Sequence, residues 1–328
     1  MRYPIIAAGC IAALPVMADQ PVLTVYTYDS FVSDWGPGPA VEEAFEATCD
    51  CDLKFVAAGD GAELLARLRL EGARTDADIV LGLDTNLMAA ARETGLFAGH
   101  GQGEVAVDVP LGWTDDTFLP FDWGYFAFVH DTTKLATPPT DFRALAESDV
   151  SILIQDPRSS TPGLGLLMWI EAAYGDDAPE IWAALADNVV TVTKGWSEAY
   201  GLFLEGEADM VLSYTTSPAY HLIAEEDATK AAAAFSEGHY LQIEVAAQLA
   251  GSDQPALAQD FLAFMLSDGF QSVIPTTNWM YPAVTPEAGL PTGFETLIQP
   301  DGALLIAPED APEARARALE AWLAALSG

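Results

Sequence analysis

Basic side chains are scarce in this chain. Among 328 residues, 13 Lys and Arg stand against 49 Asp and Glu, for a formal charge of −36. That balance repels phosphates and argues against nucleic acid or an anionic membrane as partner. It would favour the approach of a cationic ligand. The acids are nevertheless spread singly or in pairs, as at Glu63, Glu71, Asp176 and Asp177, Glu225 and Glu226, and Glu309 and Asp310, which is the pattern of a solvated face. Long apolar runs are also missing: no stretch approaches the roughly 20 residues a membrane-spanning helix needs. Cysteine is limited to Cys10, Cys49 and Cys51. The histidines (His100, His130, His221, His239) are dispersed without ligand spacing, so they point to no metal site.

Enzyme signatures are absent as well. There is no G-x-S-x-G, no H-E-x-x-H and no phosphate-binding P-loop, and GLGLL at 163–167 lacks the third glycine of a dinucleotide fingerprint. No carboxylate pair is singled out by its setting, so no catalytic residue and no cofactor is assigned. Internal repeats are not found. The Ala-rich ATKAAAAF (228–235) reads as helix or loop.

What is present begins with a leader. In MRYPIIAAGCIAALPVMA, Arg2 supplies a basic start, residues 5–17 are mostly apolar, and Val16-Met17-Ala18 fits a small-residue cleavage site. The expectation is a secretory signal (1–18) removed after Ala18, leaving an exported, soluble chain. Ala7-Ala8-Gly9-Cys10 resembles a lipoprotein box, but the apolar stretch before Cys10 is short for one. Export permits disulfides. Cys49 and Cys51, in TCDCD, would close a tight ring, so a disulfide, free thiols and a metal site with Asp50 and Asp52 all stay open.

The chain is too long for one ordinary core and suggests two lobes. VLTVYTY (22–28), DLKFVAA (52–58) and DIVLGLD (78–84) read as strands, with helices over 40–48 and 61–72 between them. In the second helix Leu64, Leu65, Leu68 and Leu70 are expected on one side. The middle repeats the grammar: ILIQD (152–156), a helix from about Gly165 to Tyr174, NVVTVT (188–193), a helix over Glu198–Glu205, then DMVLSYTT (209–216). FLPFDWGYFAFVH (118–130), whose only acid is Asp122, reads as a strand passing between lobes, and HYLQIEVAAQLA (239–250) as the return. Helices over 256–267 and 313–326 are expected back on the first lobe. The fold class is therefore α/β, two doubly wound lobes with a cleft between: 19–122 and 245–328 for the first, 123–244 for the second.

Open α/β sheets bind ligands beyond the C-terminal strand ends. Those ends carry Tyr28-Asp29-Ser30, Gly59-Asp60-Gly61, Asp84-Thr85-Asn86, then RSSTPGLG (158–165), KGWS (194–197) and SYTTSPAYH (213–221). Ser160 and Thr161 before a helix can hold an anion with backbone N–H groups, although ordinary capping needs the same residues. Trp196 reads as an aromatic tip exposed on a loop. Tyr214, Thr215, Thr216 and Ser217 offer a ring and neutral hydroxyls, with Pro218 starting a helix. Tyr28, Tyr220 and Trp279 can add faces to sandwich a flat or cationic ring.

Taken together, LTVYTYDSFVSDWGPGP, RLRLEGARTDADIVLGLDTNL, FDWGYFAFV, DPRSSTPGLGLLMW, VTVTKGWSEAYGLFL, VLSYTTSPAYH, FSEGHY and IPTTNWMYP closely resemble the periplasmic thiamine-binding proteins of bacterial ABC importers. The likeness extends over nearly the whole mature chain and weakens after about residue 284. It implies a type 2 periplasmic-binding fold that closes on thiamine and its mono- and diphosphate, acts as a monomer in the periplasm and docks on a membrane permease. By matching segments it implies ligand contacts from Asp60, Gly61, Ser160, Thr161, Trp196 and Tyr214 through Pro218. Two competing readings follow: a thiamine-degrading enzyme of similar fold with a cysteine nucleophile, and a binding protein for another cation such as a polyamine or ferric ion.

Overall fold

The computed structural model describes residues 20–326; the leader, its cleavage after Ala18 and the Cys10 box fall outside that range. The first part of the chain runs β1 (Val22–Thr27), α1 (Gly38–Glu46), β2 (Asp52–Ala57), α2 (Gly61–Glu71), β3 (Ile79–Asp84) and α3 (Met88–Arg92). A long strand β4 (Leu119–Asp131) follows, then α4 (Phe142–Ala146), β5 (Ile152–Gln155), α5 (Thr161–Tyr174), α6 (Ala178–Leu185) and β6 (Val189–Thr193). Next come α7 (Trp196–Glu205), β7 (Met210–Tyr214), α8 (Pro218–Ala224), β8 (Lys230–Ala232) and β9 (His239–Gln248). The chain ends with α9 (Pro255–Phe264), α10 (Asp268–Gln271), α11 (Ile274–Thr277), β10 (Tyr281–Pro282), β11 (Ala303–Leu304) and α12 (Ala311–Leu326).

β-Branched and aromatic residues favour the extended chain of β1, β2 and β3, which pair in parallel with β1 central. The same holds for β5 between β6 and β7. Right-handed α crossovers cover such sheets on both faces. The two sets are joined by the crossings that the sequence suggests. β4 pairs with β9 over Leu119–Tyr125, and its other half pairs with β7 over Phe126–His130. β9 in turn pairs with β3, giving the order β2-β1-β3-β9-β4-β7-β5-β6.

Close packing fixes the second sheet against α5. A Cβ on Gly165 would lie 2.1 Å from the Phe126 ring, so glycine lets the helix seat on β4. Trp169 and Trp182 fill the same apolar interior.

Several expectations change. Leu64, Leu65 and Leu68 are buried, but Leu70 is 82% exposed, because two further residues turn a helix by about 200° and carry it to the opposite face. Helix α5 begins at Thr161 rather than near Gly165, since Pro162 is tolerated in a first turn. ATKAAAAF contains a strand, β8, that pairs with β4 at Val129–Asp131. The C-terminal helix α12, expected on the first lobe, packs on α5 and α6, and its Arg317 donates to Glu171 of α5 at 2.8 Å.

Candidate ligand-binding site

A cavity of about 630 Å³ lies between the two strand sets, within the range of small-molecule sites. Tyr28 reaches it from the end of β1. Its ring rests on Gly82, where a Cβ would sit 2.2 Å from the ring and where φ is +106°. Trp196 lines the opposite wall. It is the first residue of α7 rather than a loop tip: the helix starts two residues earlier than expected, the indole stacks on Tyr200 at 5.0 Å, and its N–H donates to Ser213 Oγ at 2.8 Å. Ser213 Oγ in turn shares a 2.7 Å hydrogen bond with Ser217 Oγ, so the strand end β7 is stitched to the indole. Tyr214 and Tyr220 complete this side, and Tyr220 meets Trp279 edge-on at 5.4 Å. Trp279 holds φ +56°, an uncommon backbone conformation for a bulky residue, and one typical of functional sites.

Polar contacts draw the lobes together at the rim. The Gly61 N–H donates to Thr161 Oγ1 at 3.1 Å, and Lys194 pairs with Glu63 at 3.0 Å. Asp60 stands at the start of α2 without capping it. Its carboxylate faces Ser160 Oγ and the Trp196 backbone N–H at the starts of α5 and α7, yet neither Asp60 Oδ2 nor Ser160 Oγ completes a hydrogen bond. Burial raises the Asp60 pKa to about 6, while those two donors pull it down.

The floor is built from acids. Glu244 of β9 lines the cavity, and its register partners are Asp122 of β4 on one side and Asp84 of β3 on the other. Three carboxylates thus share one cross-strand row, where like charges oppose each other. The Tyr28 hydroxyl donates to Glu244 Oε2 at 3.0 Å, Gln242 donates to Oε1 at 2.8 Å, and Asn278 donates to Tyr28 and to Asp122 Oδ2. Burial raises Asp122 to about 7 and Asp84 to about 6. Burial, with the Asp122 charge added, lifts Glu244 well above the carboxylate range. No ion pair among the described residues includes Asp84, Asp122 or Glu244.

Of the residues singled out from sequence, Tyr28, Asp60, Thr161, Trp196, Tyr214, Ser217, Tyr220 and Trp279 line the cavity. Gly61 and Ser160 stand directly behind Asp60 and Thr161. Thr215 and Thr216 are fully buried within the turn, the Thr215 N–H donating to the Tyr125 carbonyl, and Pro218 only starts the short α8. Sequence reasoning missed Trp35, Tyr200, Glu244 and Asn278, which also line the cavity. The signal for Glu244 was a lone acid inside an apolar strand, and the one for Trp35 was a Trp set among turn residues in SDWGPGP. Cys49 and Cys51 are disulfide-bonded before β2, at the end of the first sheet remote from the cavity.

A family model described as bacterial extracellular solute-binding protein matches residues 37–272. The thiamine-binding periplasmic protein of Escherichia coli (strain K12) is 59% identical over 315 residues, covering 95% of each chain. The protein of the same name from Brucella melitensis biotype 1 is 53% identical, over 97% of this chain and 96% of that one. A solved structure described as a periplasmic thiamin binding protein superposes with a TM-score of 0.92 at 57% identity, covering 98% of this chain and 100% of the other.

Proposed function

The chain belongs to the bacterial extracellular solute-binding protein family, and from that premise we propose that it captures thiamine in the periplasm and delivers it to the permease of an ABC importer. The observation that carries the reading is a cleft with aromatic walls and an acidic floor, at the meeting of two lobes. Thiamine offers a flat aminopyrimidine to stack and hydrogen-bond, and a thiazolium cation suited to ring faces and carboxylates. Asp60, Gly61, Ser160, Thr161, Trp196, Tyr214 through Pro218, Tyr28, Tyr220 and Trp279 form the binding wall on this reading. Thr215, Thr216 and Pro218 shape the turn from behind.

Thiamine mono- and diphosphate belong to the same ligand class. Their tail would sit at Ser160 and Thr161, on the N–H groups that open α5. Asp60 occupies the approach to that spot, so a phosphate there requires its carboxyl to be protonated or displaced. The protein acts as a monomeric carrier, and no cofactor or metal is invoked. A thiamine-cleaving enzyme would need a nucleophilic cysteine in the cleft, whereas Cys49 and Cys51 are bonded to each other away from it.

Calorimetric titration with thiamine, its monophosphate, its diphosphate and spermidine tests the reading. Binding of thiamine forms without spermidine is expected. Binding of spermidine alone overturns it, and release of the pyrimidine on incubation with thiamine and an added nucleophile would favour the enzyme.

A further inference from the structure

Resting on the thiamine reading above, we propose that Glu244, with Asp122 behind it, is the counter-charge that selects a cationic ligand, and that its arrival expels a proton from the pair. The geometry is the main support. Glu244 is 6% exposed and Asp122 is fully buried, facing each other across β9 and β4 in one cross-strand row with Asp84 of β3. Two adjacent buried carboxylates cannot both be ionised without a cation, so the empty pair must hold a proton. What is left unpartnered here is acceptors alone: Asp122 Oδ1 and Gln242 Oε1 make no hydrogen bond. A ligand that satisfies this floor brings positive charge and N–H groups.

The other groups facing the pair neither supply nor replace that cation. Tyr28 at the end of β1 and Tyr214 at the end of β7 are phenols that burial keeps neutral, and Asn278 and Gln242 are amides. Arg315 of α12 acts on Asp84, at the far end of the row. On binding, a carboxyl O–H breaks, the proton passes to solvent, and the ring cation takes its place as the balancing charge. The directions of the Asp122 and Glu244 shifts agree with a pair that stays partly protonated near neutrality.

Titration calorimetry from about pH 5 to about pH 8, in buffers of different ionisation enthalpy, tests this. The ligands are thiamine and an analogue with an uncharged thiophene in place of the thiazolium. With the unsubstituted protein, thiamine affinity should rise by up to about tenfold per pH unit as pH is raised from about 5 through neutrality, with up to about one proton released. Analogue affinity should stay flat. Asp60 titrates in the same window, so the slope that survives in Asp60→Asn is the one assigned to the pair. Glu244→Gln should weaken thiamine by on the order of 30-fold or more and leave the analogue within about threefold. A flat thiamine profile without proton release, or equal weakening of both ligands in Glu244→Gln, overturns the inference while the functional reading stands. No thiamine binding by the unsubstituted protein overturns both. Should Glu244→Gln fail to fold, the pH and proton measurements on the unsubstituted protein decide.

Discussion

Replacing Trp35 by Ala is expected to separate affinity from stability. The ring is 53% exposed and its aromatic neighbour is Trp196, 6.2 Å away and tilted by 54°. An exposed contact of this kind adds roughly 0.5–1 kcal/mol to the fold at most, so the melting temperature should stay within about 2 °C. A ligand in the cleft would cover the exposed half of the indole, about 100 Å² of apolar surface. At about 25 cal/mol per Å² that is roughly 2.5 kcal/mol as an upper bound, close to the scale of a desolvated cation–π contact. Thiamine binding should therefore weaken by roughly 1–2 kcal/mol, or about 5- to 30-fold in Kd. Calorimetric titration and scanning calorimetry on the same preparation give both numbers. Trp196→Ala is the contrast: stacked on Tyr200 and bonded to Ser213, it should lose roughly 1–3 kcal/mol of affinity and stability as well. An unchanged Kd in Trp35→Ala removes that ring from the site. A fall in melting temperature beyond about 5 °C would mean that the ring holds the fold instead, and the reasoning would be wrong.

Gly61→Ala would place a Cβ 2.8 Å from both the Gly82 carbonyl and Thr161 Oγ1, so the rims could not meet; about tenfold weaker binding and a larger radius of gyration with ligand are expected, and equal values in small-angle scattering would refute this. Gly165→Ala meets the Phe126 ring at 2.1 Å and should cost roughly 1–3 kcal/mol in denaturant unfolding, with ligand affinity unaffected in the surviving folded fraction. Asp60, raised to about 6, is neutral below that pH and charged above it, so the preference for thiamine phosphates over thiamine should grow as pH falls through about 6. The part of that change due to Asp60 disappears in Asp60→Asn; a change that persists unaltered there belongs to the phosphate alone.

The sequence makes the strands and both crossings legible because runs such as FLPFDWGYFAFVH are too long and too apolar for a surface position. The strand-end residues follow from that topology, which is why Tyr28, Asp60, Trp196 and Tyr214 could be placed near one another. Periodicity names a buried face but not its partner, and so the packing of α12 on α5 and α6 cannot be read from residues 313–326 alone. Leu70 failed for a simpler reason, since leucine is common on exposed helix surfaces too. The acidic floor was out of reach. Asp84, Asp122 and Glu244 are far apart in sequence, and only the registers of β3 and β4 against β9 put them in one row. The left-handed backbone at Trp279 likewise leaves no mark in IPTTNWMYP.

The crossings β4 and β9 are hydrogen-bonded to each other between the lobes rather than strung as separate linkers. Any rotation of one lobe against the other must be spread along this ladder as twist, which paired strands accept more readily than bending. A point then moves in proportion to its distance from the ladder. Asp122 and Glu244 lie on it and would be displaced least by such a rotation, while Trp35 and Trp196, off the ladder on the cavity wall, would be displaced more. If Glu244 and Asp122 bind the cation as proposed, charge would be sensed before the rims meet and ring shape only once they approach. On that reading the ladder would turn a single cleft into two successive filters, the first for the sign of a molecule and the second for its flatness.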